Sequence, residues 1–228
     1  REPIGLDTKS PRFTWEYKGN EDNFLASRSE IRIGTSPDNL HPYTDGMKLA
    51  PHTRYYWNVT VWDKGGNICE TSETATFETA KFEPSDWSGQ WITDNNDKEF
   101  EPAPMFRKSF TLDKEVKEAR VYIAAAGYYD LFVNGKRVGE NYLDPGYTHF
   151  DKRILYVTHD VTPLLKTGEN AVATVLGNGW FNEQSVAVWN FETARWRHRP
   201  EMLCELRVQY TDGTTDVIAT DGTWRTAT

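Results

Sequence analysis

The chain has 228 residues, of which 38% are apolar, and its net charge is −8 at pH 7. A chain of this length predicts two compact units. The basic residues are scattered singly or in pairs, so the chain lacks the clustered basic face that a nucleic-acid or anionic-membrane partner requires. No apolar run reaches the roughly 18 residues of a membrane-spanning segment. We therefore expect neither nucleic acid nor membrane as a partner.

The two cysteines, Cys69 and Cys204, are far apart and form no CxxC pair. They indicate neither a disulfide framework nor a cysteine zinc site, and we expect two buried free thiols. The chain opens on Arg1-Glu2-Pro3 without an apolar stretch of the signal-peptide kind. This start is typical of a mature or trimmed product.

The first part of the chain alternates polar and apolar residues, which is the pattern of sheet strands. Strands are predicted over residues 12–17, 28–33 and 55–63, and residues 73–79 close the unit. The links at residues 35–40 and 63–67 contain the Gly, Pro, Asn and Asp that turns prefer. The following AKFEPSDWSG is typical of a linker. We place the boundary near Ala80, so that residues 1–80 form the first domain.

The second domain, residues 81–228, continues the alternation in longer strands. Asn134-Gly135 and Asp212-Gly213 favour type I′ hairpins, because both central residues of such a turn need positive φ. A short helix is predicted in DVTPLLKTGEN, with Thr162 as N-cap. The sequence predicts an all-β fold of two antiparallel β-sandwiches in tandem. The predicted strands of the second domain are residues 105–112, 118–125, 128–133, 137–138, 153–157, 171–176, 203–210 and 215–219.

Two stretches, residues 127–153 and 176–199, concentrate Tyr, Trp, Asn and Asp in segments with loop character. Aromatic faces stack on the apolar face of a pyranose, while carboxylates and amides bind its hydroxyls. The alternative is that the aromatic residues fill the core, which we expect of Trp57, Trp62, Trp87 and Trp91. The candidate carbohydrate-binding residues are Tyr142, Asp144, Tyr147, Trp180, Asn182 and Trp189.

The acidic and amide residues of these stretches leave other functions open. Asp144, Asp151, Asn178, Asn182 and Glu183 supply hard oxygen atoms of the kind that calcium binds, or they are simply turn-forming residues. The carboxylates among them could serve a glycosidase, but that requires a separation of roughly 5–10 Å, which sequence spacing does not decide. A GxSxG nucleophile motif is absent, and GNG at residues 177–179 opens no helix. We assign no catalytic residue.

The segment YYDLFVNGKRVGENYLDPGYTHFDKRILYVTHDVTPLLKTGENAVATVLGNGWFN closely resembles the β-sandwich domain that precedes the catalytic barrel in bacterial α-L-rhamnosidases. The resemblance runs from Trp87 to the C-terminus. Upstream, PIGLDTKSPRFTWEY, YYWNVTVWDKGGN and ATFETA are similar to the fibronectin-III-like domain at the N-terminus of these enzymes. The match implies a fibronectin-III-like domain followed by a jelly-roll-like sandwich, which we expect to be incomplete at TDGTWRTAT.

The resemblance also implies where the activity lies. In the family, a downstream (α/α)6 barrel hydrolyses terminal α-L-rhamnose with inversion, using glutamates as general acid and base. Neither its acidic signature nor its long helices occur in this sequence. The chain is therefore expected to be a non-catalytic part of a glycoside hydrolase that has the barrel and a rhamnose-containing carbohydrate as partners. Because such an enzyme meets polysaccharide, a secreted or periplasmic location is expected.

A related rhamnose-binding module holds a calcium ion through asparagine side chains. Asn134 and Asn182 lie at comparable places, so the resemblance implies calcium as a cofactor with these two ligands, although Val133 offers no side-chain oxygen beside them. Three functions remain open: a scaffold for the barrel, an autonomous calcium-dependent rhamnose-binding module, and the sugar-binding domain of a β-galactosidase-like enzyme. VNGKRVG resembles the last of these, whereas LGNGWFN favours rhamnosidases.

Overall fold

The structure, a computed structural model, describes residues 2–17, 26–186 and 189–228. The chain divides into two compact units, Arg1–Asp86 and Trp87–Thr228. The division lies within the predicted linker, downstream of Ala80. Every strand pair among the described residues is antiparallel, apart from one isolated parallel bridge between Leu6 and Thr79. None of the helical segments in the described ranges is long and apolar enough to cross a membrane.

The first unit is built on one sheet of five strands in its described residues. The strands are β1 (Arg28–Gly34), β2 (His41–Pro42), β3 (Arg54–Trp62), β4 (Ile68–Thr71) and β5 (Ala75–Glu78). The longest strand, β3, pairs with β1 on one side and with β4 and β5 on the other, and the first four strands have the order β2-β1-β3-β4. The core of the unit contains Ile33, Leu49, Tyr55 and Phe77. The rings of Tyr55 and Phe77 stack at 5.3 Å from neighbouring strands.

The predicted strand at residues 12–17 is wrong, because this segment has no strand hydrogen bonding. Its apolar residue Phe13 still packs on the core, with ring centroids 4.7 Å from Trp57 and 5.3 Å from Tyr43. Phe13 is only partly buried, and Trp15 and Tyr17 of the same alternation are exposed at 41% and 37%. A strand also needs a neighbour for its backbone groups. In the described part of this unit irregular backbone, not a second sheet, covers the core. The fibronectin-III-like topology stays a prediction.

The second unit is a sandwich of two antiparallel sheets. Its strands are β6 (Met105–Leu112), β7 (Val116–Ala126), β8 (Tyr128–Val133), β9 (Lys136–Val138), β10 (Tyr156–Asp160), β11 (Gly168–Gly177), β12 (Glu201–Tyr210), β13 (Thr215–Ala219) and β14 (Arg225–Ala227). One sheet has the order β10-β7-β12-β13, and the other has the order β14-β6-β11-β8-β9.

The core of the second unit lies between its two sheets. Alternate residues of β6, β8 and β11 point inward from one sheet and meet those of β7 and β12 from the other. This arrangement confirms the predicted all-β sandwich. The fully buried apolar side chains include Phe106, Leu112, Val121, Ile123, Leu131, Val133, Leu176, Met202, Leu206 and Val208.

The Asn134-Gly135 hairpin has the predicted geometry. Asn134 has φ +50° and Gly135 has φ +80°, as a type I′ turn requires. The Asn134 side chain donates to the carbonyl oxygen of Leu164 and to Asn170 Oδ1, each at 2.8 Å, and its Oδ1 accepts from the N–H of Ala171 at 2.9 Å. The asparagine therefore fixes the hairpin against the start of β11.

Several local predictions need correction. The predicted helix is a single 3₁₀ turn, Thr162–Leu164, because Leu165 returns to extended backbone and Thr162 Oγ1 accepts from the N–H of Ala119 in β7. At the second hairpin only Gly213 has positive φ, and the loop closes between Tyr210 and Thr214. Trp91 is 40% exposed and so is not a core residue. Of the cysteines, Cys204 is buried and Cys69 is only half-buried.

Candidate functional site

Four aromatic side chains line an open pocket of about 630 Å³ on the second unit: Tyr147, Trp180, Trp189 and Phe191. We call this the aromatic pocket. Trp180 contacts Trp189 at 5.6 Å and Phe191 at 5.8 Å, and Tyr147 stacks on Phe191 at 5.9 Å and 22°. Trp189 is 63% exposed and Tyr147 is 49% exposed. The rings therefore present accessible aromatic faces to solvent.

Two long loops bring these rings together. Tyr147 comes from the β9–β10 loop, and the three other residues come from the β11–β12 loop. Between Trp189 and Phe191, Asn190 has φ +54°, a left-handed conformation that asparagine tolerates better than most residues. This turn aims both neighbouring rings at one pocket.

A second group of rings supports the pocket from beneath. Phe150 lies 5.6 Å from Tyr147 and 5.3 Å from the buried Phe181, and Trp196 lies 5.6 Å from Phe191. Such edge-to-face contacts contribute about 0.5–1.5 kcal/mol each beyond the burial of apolar area. The lining residues thus rest on a packed aromatic base.

The β11–β12 loop is fastened to residues 94–102, a segment that we call the strap. Asn182 is fully buried, and its Nδ2 donates to the carbonyl oxygen of Lys98 at 2.8 Å. Gln184 donates to the same oxygen at 3.1 Å. Arg197 donates twice to Glu99, at 2.6 and 2.8 Å, and these bonds lower the pKa of the Glu99 carboxyl.

The strongest fastening is the buried ion pair between Arg199 and Asp94. The Arg199 side chain is 1% exposed and donates to both Asp94 oxygens at 2.8 Å. It also donates to the carbonyl oxygens of Phe100 at 2.6 Å and Pro102 at 2.7 Å. The guanidinium holds the pKa of Asp94 below its ordinary value. Together these bonds fix the loop that carries the pocket.

The six candidate residues divide into three groups. Tyr147, Trp180 and Trp189 meet in the aromatic pocket. Asn182 lies in the same loop, but its side chain is buried against the strap. Tyr142 and Asp144 lie in the β9–β10 loop outside the pocket lining. Tyr142 is 78% exposed, with the Arg137 guanidinium 4.4 Å from its ring, and Asp144 accepts a hydrogen bond from Asn141 at 3.1 Å.

The two candidate calcium ligands lie near opposite ends of β11. Asn134 pairs with Ala171 near its start, and Asn182 follows Gly177 at its end. The six residue-to-residue steps from 171 to 177 span about 20 Å of extended strand. The amide oxygen of Asn134 is already used by Ala171, so Asn134 and Asn182 cannot ligate one ion in this arrangement. Within the described ranges, no group of three His, Cys, Asp or Glu residues could hold a metal.

Comparison with known proteins decides the family. The sequence model described as "Alpha-L-rhamnosidase N-terminal domain" matches residues 114–228, and the one described as "Rha78A-like, N-terminal immunoglobulin domain" matches residues 1–83. The chain belongs to the α-L-rhamnosidase N-terminal domain family. It corresponds to the non-catalytic N-terminal region of these enzymes.

Similar full-length proteins are named α-L-rhamnosidases. One from Formosa agariphila is 31% identical over 278 residues, covering 99% of this chain and 28% of the relative. The solved α-L-rhamnosidase from "Dictyoglumus thermophilum" is 30% identical with a TM-score of 0.85, covering 99% of this chain and 28% of that chain. The one from Aspergillus terreus is 25% identical with a TM-score of 0.87, covering 100% and 28%. The chain thus spans a little over a quarter of each.

The acidic residues considered for glycosidase chemistry do not line the aromatic pocket of this rhamnosidase domain. Asp151 bonds to His149, Glu183 accepts from Ser185 at 2.7 Å, and Asp144 is held by Asn141. Each of these carboxylates therefore makes a hydrogen bond within its own loop.

Sequence reasoning missed Phe191 and the strap. Phe191 stands in the aromatic-rich stretch 176–199, so the density of rings was its signal. Asp94 and Glu99 are distant in sequence from Arg199 and Arg197, and nothing in the sequence pairs them.

Proposed function

We propose that the full protein is an α-L-rhamnosidase and that this region holds a rhamnose-containing carbohydrate on the aromatic pocket. The catalytic part would lie outside this chain, which supplies scaffold and sugar contacts. The observation that carries the proposal is the convergence of Tyr147, Trp180, Trp189 and Phe191 around an open pocket of about 630 Å³.

The pocket suits a sugar in size and chemistry. Its volume falls within the roughly 300–1,000 Å³ of small-molecule sites. Aromatic faces contact the C–H face of a pyranose, while the phenol and indole groups at the rim can bind hydroxyls. Rings that served only to fill the core would be covered, yet Trp189 is 63% exposed and the nearby Val186 is 86% exposed. Exposed apolar patches of this kind mark binding surfaces.

The binding test is calorimetric titration of a rhamnose-containing oligosaccharide into the 228-residue chain. We expect Trp189→Ala to weaken binding by about tenfold, which corresponds to ~1.4 kcal/mol. Trp91→Ala is the matched control, because Trp91 is also exposed and lies in the same unit. Equal affinity of wild type and Trp189→Ala, or an equal loss in both variants, would refute a role for the pocket.

The same titration separates the remaining functions. Heat of sugar binding that persists after calcium is chelated supports calcium-independent binding at the aromatic pocket. Heat that disappears with the chelator would favour a calcium-dependent module, with ligands other than the pair Asn134 and Asn182. Absence of heat under both conditions would leave the region as a scaffold for the catalytic part.

The proposed location follows from the substrate. We propose a secreted or periplasmic location, because that is where an enzyme would meet a rhamnose-containing polysaccharide. Cell fractionation with an antibody against this chain tests the point, and recovery in the cytoplasmic fraction would refute it.

A further inference from the structure

Two arginines face each other across the edge of the five-stranded sheet in the second unit. Arg107 of β6 and Arg225 of β14 are directly opposite in the antiparallel register, and both are exposed. Residues in this position have Cβ atoms about 5 Å apart, and like charges there are destabilising. Within residues 2–17, 26–186 and 189–228, neither guanidinium has a hydrogen bond or an ion pair.

The two side chains border a groove of about 260 Å³, whose other lining residues are Lys108, Ser109 and Thr223. A second depression of about 400 Å³ shares Arg107 and Ser109 with it. On the far side Arg107 lies opposite Ala173 of β11, whose methyl group leaves the guanidinium uncovered. Lys108 is partly neutralised by Asp221 at 3.9 Å. The groove therefore presents two uncompensated positive charges.

Many other arginines in the described residues pair with a carboxylate instead. The chain has 26 basic and 34 acidic residues, so carboxylate partners are abundant. Seven arginines of the described residues do have an acidic partner: Arg28, Arg54, Arg120, Arg137, Arg197, Arg199 and Arg207. A like-charged pair kept opposite on two strands breaks a local rule of sheet stability, and such departures are expected at functional sites.

We propose that the groove between Arg107 and Arg225 binds an oxyanion, either a carboxylate or a sulfate. Guanidinium groups form paired, charge-assisted hydrogen bonds to such planar or tetrahedral oxygen groups. The Ser109 hydroxyl can donate a further bond. The oxyanion could be the acidic substituent of a glycan or a free inorganic ion, and both present the same oxygen groups to the arginines. The aromatic pocket contains neither arginine, so the two sites are independent.

The test compares wild type with Arg107→Gln, Arg225→Gln and the control Arg153→Gln. Arg153 is an exposed arginine of the same unit that lies outside the groove lining. The probes are inorganic sulfate, an oligogalacturonate, and the same oligosaccharide with its carboxyls reduced to alcohols. Calorimetry at constant ionic strength measures affinity, and thermal unfolding measures the stabilisation by each probe.

We expect the anions to bind the wild-type protein. Their affinity should be at least tenfold weaker for Arg107→Gln and Arg225→Gln and unchanged for Arg153→Gln. The reduced oligosaccharide should not bind the groove. Without ligand, Arg107→Gln should unfold at the same or a higher temperature, since the like-charge pair is relieved. Binding of the oligogalacturonate tighter than sulfate assigns the site to a glycan, whereas binding of sulfate alone assigns it to a free ion. No binding, or affinities equal in all four proteins, would overturn the proposal.

Discussion

The buried ion pair between Arg199 and Asp94 gives the sharpest stability prediction. Asp94→Asn removes the carboxylate charge, so residue 94 offers one side-chain oxygen in place of two. The Arg199 side chain that faces it is only 1% exposed. Breaking a buried pair by removing one partner costs about 3–5 kcal/mol. The carbonyl oxygens of Phe100 and Pro102 still accept from Arg199, so we expect the lower end, ~3 kcal/mol. That loss lowers the melting temperature by roughly 6–12 °C.

The assay is thermal unfolding at pH 7, with Asp130→Asn as the matched control. Asp130 pairs with Arg137 at 2.8 Å, but its side chain is 45% exposed, so its loss should cost under about 1 kcal/mol. If Asp94→Asn shifted the melting temperature no more than Asp130→Asn, the pair would not stabilise the strap.

The same pair predicts a pH dependence. The pKa of Asp94 is lowered in the folded state by the Arg199 hydrogen bonds, so the unfolded chain takes up a proton at higher pH than the folded one. The stabilisation is therefore complete above the unfolded pKa of about 4 and is lost as the pH falls through the lower folded pKa. The stability gap between wild type and Asp94→Asn should narrow below pH ~4. A stability difference that stayed constant below pH ~4 would contradict a lowered pKa of Asp94 in the folded state.

Two further predictions concern a glycine and the thiols. Gly139→Ala should destabilise the protein more than Gly213→Ala. Both glycines have positive φ, but of the two only Gly139 would bring a Cβ against another atom, His159 Cε1 at 2.8 Å. Denaturant unfolding measures the two losses of stability, and equal losses would contradict the clash. Burial raises the pKa of Cys204 to about 12, so iodoacetamide should modify Cys69 in the folded protein and leave Cys204 unmodified. Mass spectrometry measures both reactions. Modification of Cys204 at the same rate as Cys69 would contradict the burial of Cys204.

The fold was predictable where local chemistry decides it. The positive φ of Asn134 and Gly135 follows from the turn that their sequence favours, and β6, β8 and β13 have the predicted bounds. Residues 12–17 show the limit of this reasoning. Their alternation predicted a strand, but only Phe13 of its apolar residues packs against the core. Whether a strand forms depends on a hydrogen-bonding neighbour from elsewhere in the chain. The helix around Thr162 failed because so short a segment has too few internal bonds to offset nucleation.

The candidate site was predictable in its residue types but not in its geometry. Tyr147, Trp180 and Trp189 were candidates because of their chemistry, and the structure brings them into one pocket. Asn182 had the same polar character but serves the strap, because its side chain lies beneath the loop. The partners of the strap, such as Arg199 and Asp94, are about a hundred residues apart. Only the folded sheets bring such groups together.

The central claim is that the aromatic pocket binds sugar, and fluorine NMR tests it most directly. Incorporation of 5-fluorotryptophan gives one signal for each of the nine tryptophans, and single Trp→Phe variants assign them. On titration with a rhamnose-containing oligosaccharide, we predict saturable shifts of the Trp180 and Trp189 signals, with Trp91 unchanged. Signals that do not move, or that shift uniformly at all nine positions, would contradict the account.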